Sequence, residues 1–282
     1  MATDWEKDIA DGFGVLSKAA FEMTEATKGL SCPDERFVHA GALFFKFYGH
    51  VSSAYSLYQM HKASGLRKQL TGVPHDFFEQ SSIAVLCRAA WEAFLTFHFV
   101  YVAPKTPEER DCRYWSWLLA ALLTRQKFTT TSPENQQKLD SEKILIEEFR
   151  DKLRRNKYFY EQLRPNQRKG VLKDGSWRVG QSWREMAEEA GFNDRHGREM
   201  YSFLCDYAHS GNLSVFQIRA GNFEIAKDLS LLCLRVMLIT FANFVAAYAY
   251  CFPQTGLMLD VQQYRETIEF WCSLGRDLPN SQ

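Results

Sequence analysis

Hydrophobic positions recur at helical spacing along most of this chain. Between Glu35 and Ser64 they form one stripe that comprises Phe37, Phe44, Phe45, Tyr48, Val51, Tyr55 and Tyr58. A period near 3.6 residues keeps such side chains on one side of a helix, whereas a strand would alternate every second residue. The segment therefore predicts one long amphipathic helix with this stripe against a core.

Helix start and stop signals divide the rest of the chain into further helices. One helix is predicted from about Asp76 to Ala103, because the residue before Pro104 avoids the α conformation. Thr106 then provides an N-cap for a helix that starts at Pro107. Ser182 to Glu185 has the spacing of a capping box, and Gly191 suits the C-terminal cap of the same helix.

These signals predict an all-α fold, a single bundle of about eight or nine helices that comprises residues 1–282 as one domain. A polar segment with a proline interrupts the pattern at residues 129–142. It forms a loop or a helix entry in this interpretation and could mark a subdomain boundary.

The longest apolar run extends from Leu229 to Phe252 and is long enough to cross a bilayer. It contains Arg235 and Asn243, and an arginine in the middle of a span costs about 2.5 to 3.5 kcal/mol on insertion. We therefore expect the central helix of a soluble bundle and no membrane association. In that setting Arg235 needs a carboxylate or several carbonyl groups as partners.

Composition and charge indicate where the protein resides in the cell and which classes of partner it does not attract. The 34 basic and 34 acidic residues cancel, so the chain has no net field that would attract polyanions or anionic membranes from a distance. The seven cysteines are scattered and form no C-x-x-C pair, which is typical of reduced thiols. The first residues lack the basic and apolar parts of a secretory signal, and the expected localisation is cytoplasmic.

Two charges interrupt the apolar helix between Ser81 and Val102. Arg88 and Glu92 are four residues apart and so lie on one face of that helix. One interpretation is a buried ion pair that fixes helix register without further function. The other is a polar cavity in which Arg88 holds an anionic group and Glu92 orients a hydrogen-bond donor.

A second helix, from about Glu199 to Ser210, ends on a histidine. Tyr201 and Cys205 share one of its faces, and Asp206 and His209 share another. We expect Asp206 and the negative end of the helix dipole to favour protonation of His209. In the alternative, His209 only caps carbonyl groups of the last turn.

These two helices give the candidate site. If Arg88 and Glu92 act together with His209, the end of the second helix must pack against the first. Arg88, Glu92 and His209 are then the candidate catalytic residues. The candidate binding residues beside them are Tyr201, Cys205 and Asp206.

A basic segment follows from Arg150 to Lys169. It includes Arg154, Arg155 and Tyr158, and positive charge beside aromatic rings suits RNA phosphates and bases. The alternative is a solvated helix that neighbouring acidic residues balance.

No motif predicts a metal or a cofactor. The chain contains no H-E-x-x-H, no phosphate-binding glycine loop of the common types and no G-x-S-x-G. His39, His50 and His61 recur every eleven residues, but that spacing rises ~16 Å along a helix and excludes a shared ion.

The motif set resembles a prokaryotic family of all-helical proteins of unknown function. The resemblance rests on R-x-x-x-E at Arg88 and Glu92, on W-x-x-x-A-x-x-x-G between Trp183 and Gly191, and on Y-x-x-L-x-x-x-x-H-S from Tyr201. It covers about Ser81 to Asn212 and implies no particular reaction. A weaker resemblance links the chain to helical nuclease-like domains of toxin and phage-defence systems.

Three functional hypotheses remain open at this point, and whether the protein is an enzyme stays undecided. The first is a cytosolic bacterial protein with an internal Arg/Glu/His site for binding or regulation, in a stress or phage-defence setting. Its partner would be a protein or a small anionic ligand. The second is a metal-independent ribonuclease that binds RNA through residues 150–169, and the third is a structural interaction module.

Overall fold

The computed structural model describes residues 5–29, 34–62, 80–209, 211–220 and 223–276, and this part of the chain contains helices and no strands. The α-helices are α1 (Trp5–Thr27), α2 (Val38–Lys62), α3 (Gln80–Phe97), α4 (Pro107–Arg125), α5 (Pro133–Arg155), α6 (Lys157–Gln162), α7 (Pro165–Lys169), α8 (Trp183–Glu189), α9 (Tyr201–Ala208), α10 (Asn212–Ala220), α11 (Phe223–Cys251) and α12 (Gln262–Leu274). The all-α class is therefore confirmed. The predicted count of eight or nine is too low, because the sequence pattern misses helices of only five to nine residues.

Short segments of other helical types lie between these helices. Glu35–Phe37 and Pro253–Asp260 are 3₁₀ helices. His98–Val102, Gly170–Asp174 and Arg195–Met200 are π-helical turns.

The chain divides into two compact units. The first comprises Met1–Phe97 and Ala187–Gln282, and the second comprises His98–Met186. The boundaries fall after α3 and within α8, whereas the polar segment 129–142 lies inside the second unit. Residues 129–132 belong to the connection between α4 and α5, and the rest of the segment forms the start of α5. The helices α4 and α5 pack against each other.

Aromatic side chains fill the core of the first unit. Phe44 and Phe47 from α2 contact Phe244 of α11 with ring centroids 5.0 and 4.7 Å apart, and Phe97 from α3 contacts it at 4.6 Å. Phe244 is fully buried. The long apolar helix α11 thus serves as the central helix, with α1, α2, α3 and α12 packed on it.

Two helices, Gln80–Val102 and Phe223–Cys251, are long and apolar enough to cross a membrane by length and composition. Most of each lies buried, 67% and 72% of their most apolar stretches. Core helices of soluble proteins have the same properties.

A smaller apolar cluster forms the core of the second unit. Its buried members are Cys112, Leu119, Ile146, Leu153, Phe159, Leu163 and Val171. They come from α4, α5, α6 with its C-cap Leu163, and the turn at Gly170–Asp174, so the short helices close the end of an α4–α5 hairpin.

Several predicted helix ends are confirmed by their hydrogen bonds. The Thr106 hydroxyl accepts from the backbone N–H of Glu109 at 3.1 Å, as an N-cap does. At the start of α8 the Glu185 N–H donates to the Ser182 hydroxyl, and the Ser182 N–H donates to the Glu185 carboxylate. Gly191 ends that helix with a φ of 84°, a conformation that favours glycine.

Candidate functional site

The predicted pair of charges on α3 forms an ion pair. Arg88 Nε donates to Glu92 Oε1 at 2.9 Å, and the two side chains keep 20% and 29% of their surface exposed. The neighbouring side chain Val85 is 41% exposed, so this face of α3 reaches the protein surface. The expectation of an internal site was wrong, since the pair is partly solvated.

Helix α9 brings two more polar groups to this pair. The Tyr201 hydroxyl donates to Glu92 Oε1 at 3.0 Å, and His209 Nε2 lies 2.9 Å from Arg88 Nη1. Tyr201 opens α9 and His209 follows its last residue, so both ends of the helix contact α3. Arg88, Glu92, Tyr201 and His209 therefore form one hydrogen-bonded cluster, whereas their role stays a prediction.

The contact between Arg88 and His209 defines the state of the imidazole. A guanidinium group only donates hydrogen bonds, so Nε2 of His209 must accept and the proton of the neutral ring must lie on Nδ1. The ring itself is exposed. Protonation of Nε2 would remove the acceptor and place two cations side by side.

Burial and neighbouring charges shift the pKa values of Arg88 and Tyr201 and so define which of them is charged. Burial is the largest single effect on Arg88 and lowers its pKa, but the charge and hydrogen bond of Glu92 together with the Cys205 and Tyr201 groups raise the net pKa. Burial, followed by the charge of Glu92, raises the pKa of Tyr201 well above its ordinary value. Tyr201 is therefore a neutral donor, and Arg88 keeps its charge.

Cys205 lies within α9 beside Tyr201, with which it shares a side-chain hydrogen bond. Its thiol is partly buried. Cys205 thus lies at the edge of the cluster, and any role in binding stays a prediction.

Asp206 has a different role from the predicted contact with His209. Its Oδ2 accepts from the backbone N–H of Ser214 at 2.6 Å, which satisfies a free donor in the first turn of α10. Gly211 permits this approach, because a Cβ at that position would collide with the Asp206 carboxylate. Asp206 therefore ties the end of α9 to the start of α10.

The cluster lies at the protein surface. A cavity of about 900 Å³ lies between α1 and α12, and one of about 240 Å³ lies among α1, α2 and α11. Neither is lined by any member of the cluster. Within the described ranges no three His, Cys, Asp or Glu side chains are close enough to hold a metal ion.

The basic segment of the second unit presents fewer groups to RNA than its sequence indicated. Tyr158 is partly buried and donates to Glu109, and Phe159 is 1% exposed. Arg154 pairs with Asp151 at 2.8 Å, while Arg155 is exposed. In the RNA-binding interpretation the interleaved aromatic residues would contact bases, but Phe159 is buried and Tyr158 bonds to Glu109, because the segment folds back on α4.

Sequence reasoning missed the buried ion pair of the second unit. Arg113 donates to Glu109 Oε1 at 2.6 Å, with side chains only 4% and 9% exposed. Arg113 also donates to the Phe99 carbonyl at 3.2 Å and lies over the Phe99 ring at 4.3 Å. The signal was present in the sequence, because Glu four residues before Arg is the favoured order on a helix.

Arg235 departs from its predicted partners. In the described part of the chain its guanidinium contacts neither a carboxylate nor carbonyl groups and instead lies over the Trp5 ring, with 3.6 Å from Cζ to the ring centroid. An aromatic face replaces the expected counter-ion.

Comparison with known protein families places the chain in one of them. The model of a family of unknown function, DUF5677, matches residues 75–223. This is more than half of the chain, and the protein belongs to that family. The matched range includes Arg88, Glu92, Tyr201 and His209, which carried the first resemblance.

No curated protein and no solved structure matches the chain. The second resemblance, to nuclease-like domains, is not shown by any of these comparisons.

Proposed function

We propose that the protein is a soluble, cytosolic bacterial binding protein in which Arg88 captures a small anionic group by exchange with His209. The observation that carries this proposal is the Arg88 guanidinium, which Glu92 fixes through Nε while Nη1 points to an exposed imidazole. A carboxylate or phosphate oxygen is a stronger partner for a guanidinium than a neutral imidazole, because both groups are then charged. The exchange leaves the Glu92 contact intact.

The exchange also couples anion binding to a movement of helices α9 and α10, which could regulate a protein contact. Displacement of His209 frees the C-terminal end of α9, to which Asp206 connects the first turn of α10. Helix α10 has four apolar residues that are about half exposed or more: Leu213, Val215, Phe216 and Ile218. A shift of α9 would move this apolar helix, which is the kind of surface that contacts another protein.

Binding is favoured over RNA cleavage on chemical grounds. A general base needs a free lone pair, and Nε2 of His209 accepts from Arg88 in the resting cluster. The segment proposed as an RNA platform also retains only Tyr160 as an exposed aromatic residue, at 68%. Arg168 covers that ring at 4.5 Å.

The test is a calorimetric titration with inorganic phosphate, in which the affinity of the wild-type protein is compared with that of three variants. Arg88→Gln should weaken binding about tenfold or more, since a charge-assisted hydrogen bond is lost. His209→Ala should bind at least as tightly as wild type, because the internal competitor is gone. Arg154→Gln, an exposed arginine of the second unit, is the matched control and should bind as wild type does.

Two outcomes would contradict the proposal. If Arg88→Gln binds phosphate as tightly as wild type, Arg88 is not the binding residue. If His209→Ala binds more weakly, the imidazole contacts the anion instead of competing with it. Degradation of added RNA by wild type but not by His209→Ala would favour the ribonuclease instead. Recovery of the protein only in the membrane fraction would overturn the soluble assignment.

A further inference from the structure

The cavity among α1, α2 and α11 of the first unit is lined mainly by aromatic side chains. Its volume is about 240 Å³. The aromatic residues that line it are Phe21, Phe44, Phe45, Tyr48 and Tyr248. Phe21 and Phe45 are 66% and 75% exposed, so two large apolar rings stand in solvent beside a concave space. Exposed apolar surface at a cavity is typical of a ligand site.

The buried wall of this aromatic cavity is formed by Phe44 and Tyr248. Their ring centroids lie 4.6 Å apart with 31° between the ring planes, and both residues are at most 3% exposed. The Thr27 hydroxyl donates to backbone carbonyl groups of the preceding turn, so it must accept from the Tyr248 hydroxyl, 3.0 Å away. The hydroxyl proton of Tyr248 is therefore used inside the protein and is not offered to a ligand.

The other polar groups of the aromatic cavity are acceptors. The Thr24 hydroxyl donates to the Ala20 carbonyl at 2.8 Å, which leaves its oxygen as an acceptor. Glu25 is the one charged side chain among the described residues that line the cavity. Its carboxylate lies 3.3 Å from Lys28 Nζ in an exposed ion pair. Exposed pairs of this kind are weak, so a bound cation can take the place of Lys28.

Ring faces and a carboxylate together favour a positively charged ligand. The face of an aromatic ring carries partial negative charge and attracts cations. An anion would be repelled by Glu25, and a neutral apolar ligand would make no use of its charge. A primary ammonium group brings three N–H donors, which need more acceptors than Glu25 and Thr24 supply. A methylated ammonium group donates no hydrogen bonds and contacts the rings through its methyl groups.

We propose that the aromatic cavity binds a quaternary ammonium group, such as the trimethylammonium group of choline or of a trimethylated lysine side chain. The rings of Phe21, Phe45 and Tyr48 contact its methyl groups, and Glu25 balances its charge. This site goes beyond the proposed exchange at Arg88. Its ligand has the opposite charge, so either proposal can fail without the other.

The experiment is a calorimetric titration of the wild-type protein with choline chloride at constant ionic strength. The matched ligand is dimethylbutanol, the neutral analogue of choline in which a carbon atom replaces the charged nitrogen. We expect saturable binding of choline and about tenfold weaker binding of the neutral analogue, because only the cation is attracted to the rings and to Glu25. Absence of saturable choline binding, or equal affinity for the two ligands, overturns the proposal.

Two variants test whether choline binds in the aromatic cavity. Phe45→Leu and Glu25→Gln both change exposed side chains, where folding is not at risk, and each should weaken choline binding by about threefold or more. Phe128→Leu is the matched control, because Phe128 is 65% exposed and lies in the second unit. It should bind choline as wild type does. Unchanged affinity of both cavity variants would place the binding elsewhere and overturn the site.

A further titration separates the two sources of the trimethylammonium group. A short peptide that contains trimethylated lysine is compared with choline and with the same peptide unmethylated. Tighter binding of the methylated peptide than of choline assigns the site to a protein side chain, and the reverse order assigns it to a small free cation. Equal binding of the methylated and unmethylated peptides contradicts the selection for methyl groups.

Discussion

The two units contain the same three side-chain types in two different settings. In the first unit Glu92 accepts from Arg88 and from the Tyr201 hydroxyl, and in the second Glu109 accepts from Arg113 and from the Tyr158 hydroxyl. Each arginine and glutamate are four residues apart on one helix. The settings differ in solvent access and in what completes the arginine's hydrogen bonds.

The second-unit cluster is closed. Glu109 Oε2 also accepts from the Lys105 backbone N–H at 2.9 Å, and Arg113 reaches the carbonyl and ring of Phe99. In the first unit the last partner of Arg88 is instead the exposed ring of His209. A buried charge with backbone partners has a structural role, whereas an exposed, replaceable partner leaves an arginine available to a ligand.

The largest expected difference between the clusters is in stability. Arg113→Met strands the buried Glu109 carboxylate and should lower the free energy of unfolding by about 3 to 5 kcal/mol. Arg88→Met should cost only about 1 kcal/mol, because water reaches Glu92. Urea unfolding of both variants measures this difference. Equal losses of unfolding free energy would show that the two ion pairs contribute equally to stability.

The tyrosine hydroxyls allow a finer comparison. Tyr158→Phe removes a donor from a buried carboxylate and should cost about 1 to 2 kcal/mol. Tyr201→Phe should cost less than about 1 kcal/mol, since water can replace the hydroxyl at Glu92. A larger loss for Tyr201→Phe would show that the first cluster is as closed as the second.

Acid should weaken the first unit, which contains His39, His50 and His196. Burial lowers the pKa of each below the ordinary 6.5, so the unfolded chain binds more protons than the folded one. The free energy of unfolding is therefore highest above pH 6.5 and decreases as the pH falls through the folded-state values.

Thermal unfolding between pH 7.5 and 5 tests this dependence. His50→Gln should make the decline shallower than in wild type. A melting temperature that rises on acidification would contradict the sign.

The contrast also shows what the sequence alone could predict. The grouping of Arg88 with Tyr201 and His209 was a hypothesis, because no local signal reports a contact between helices that are far apart in the sequence. The all-α class and the capped starts of α4 and α8 do follow from local spacing and helix signals. Burial does not, because it depends on which helices cover a given face. Arg88 lies among apolar neighbours and was predicted to be internal, although Val85 shows that its face is exposed.

The opposite error concerns Glu109 and Arg113. They stand in the polar-looking run PEERDCRYW and were overlooked, yet the chain after α5 folds back and places Tyr158 on them. Asp206 was likewise assigned to its neighbour on the same helix. The N–H group that it binds belongs to α10, whose start only the tertiary structure defines.

The most direct test of the central contrast is to follow the arginine Nε–Hε signals of the wild-type protein by nuclear magnetic resonance during a titration with inorganic phosphate. The Arg88 signal is assigned by its loss in Arg88→Gln, and the Arg113 signal by its slow exchange with solvent. The account predicts a saturable shift of the Arg88 signal and none of the Arg113 signal. An Arg88 signal that stays fixed while phosphate binds elsewhere would show that its pair with Glu92 is structural, like the pair in the second unit.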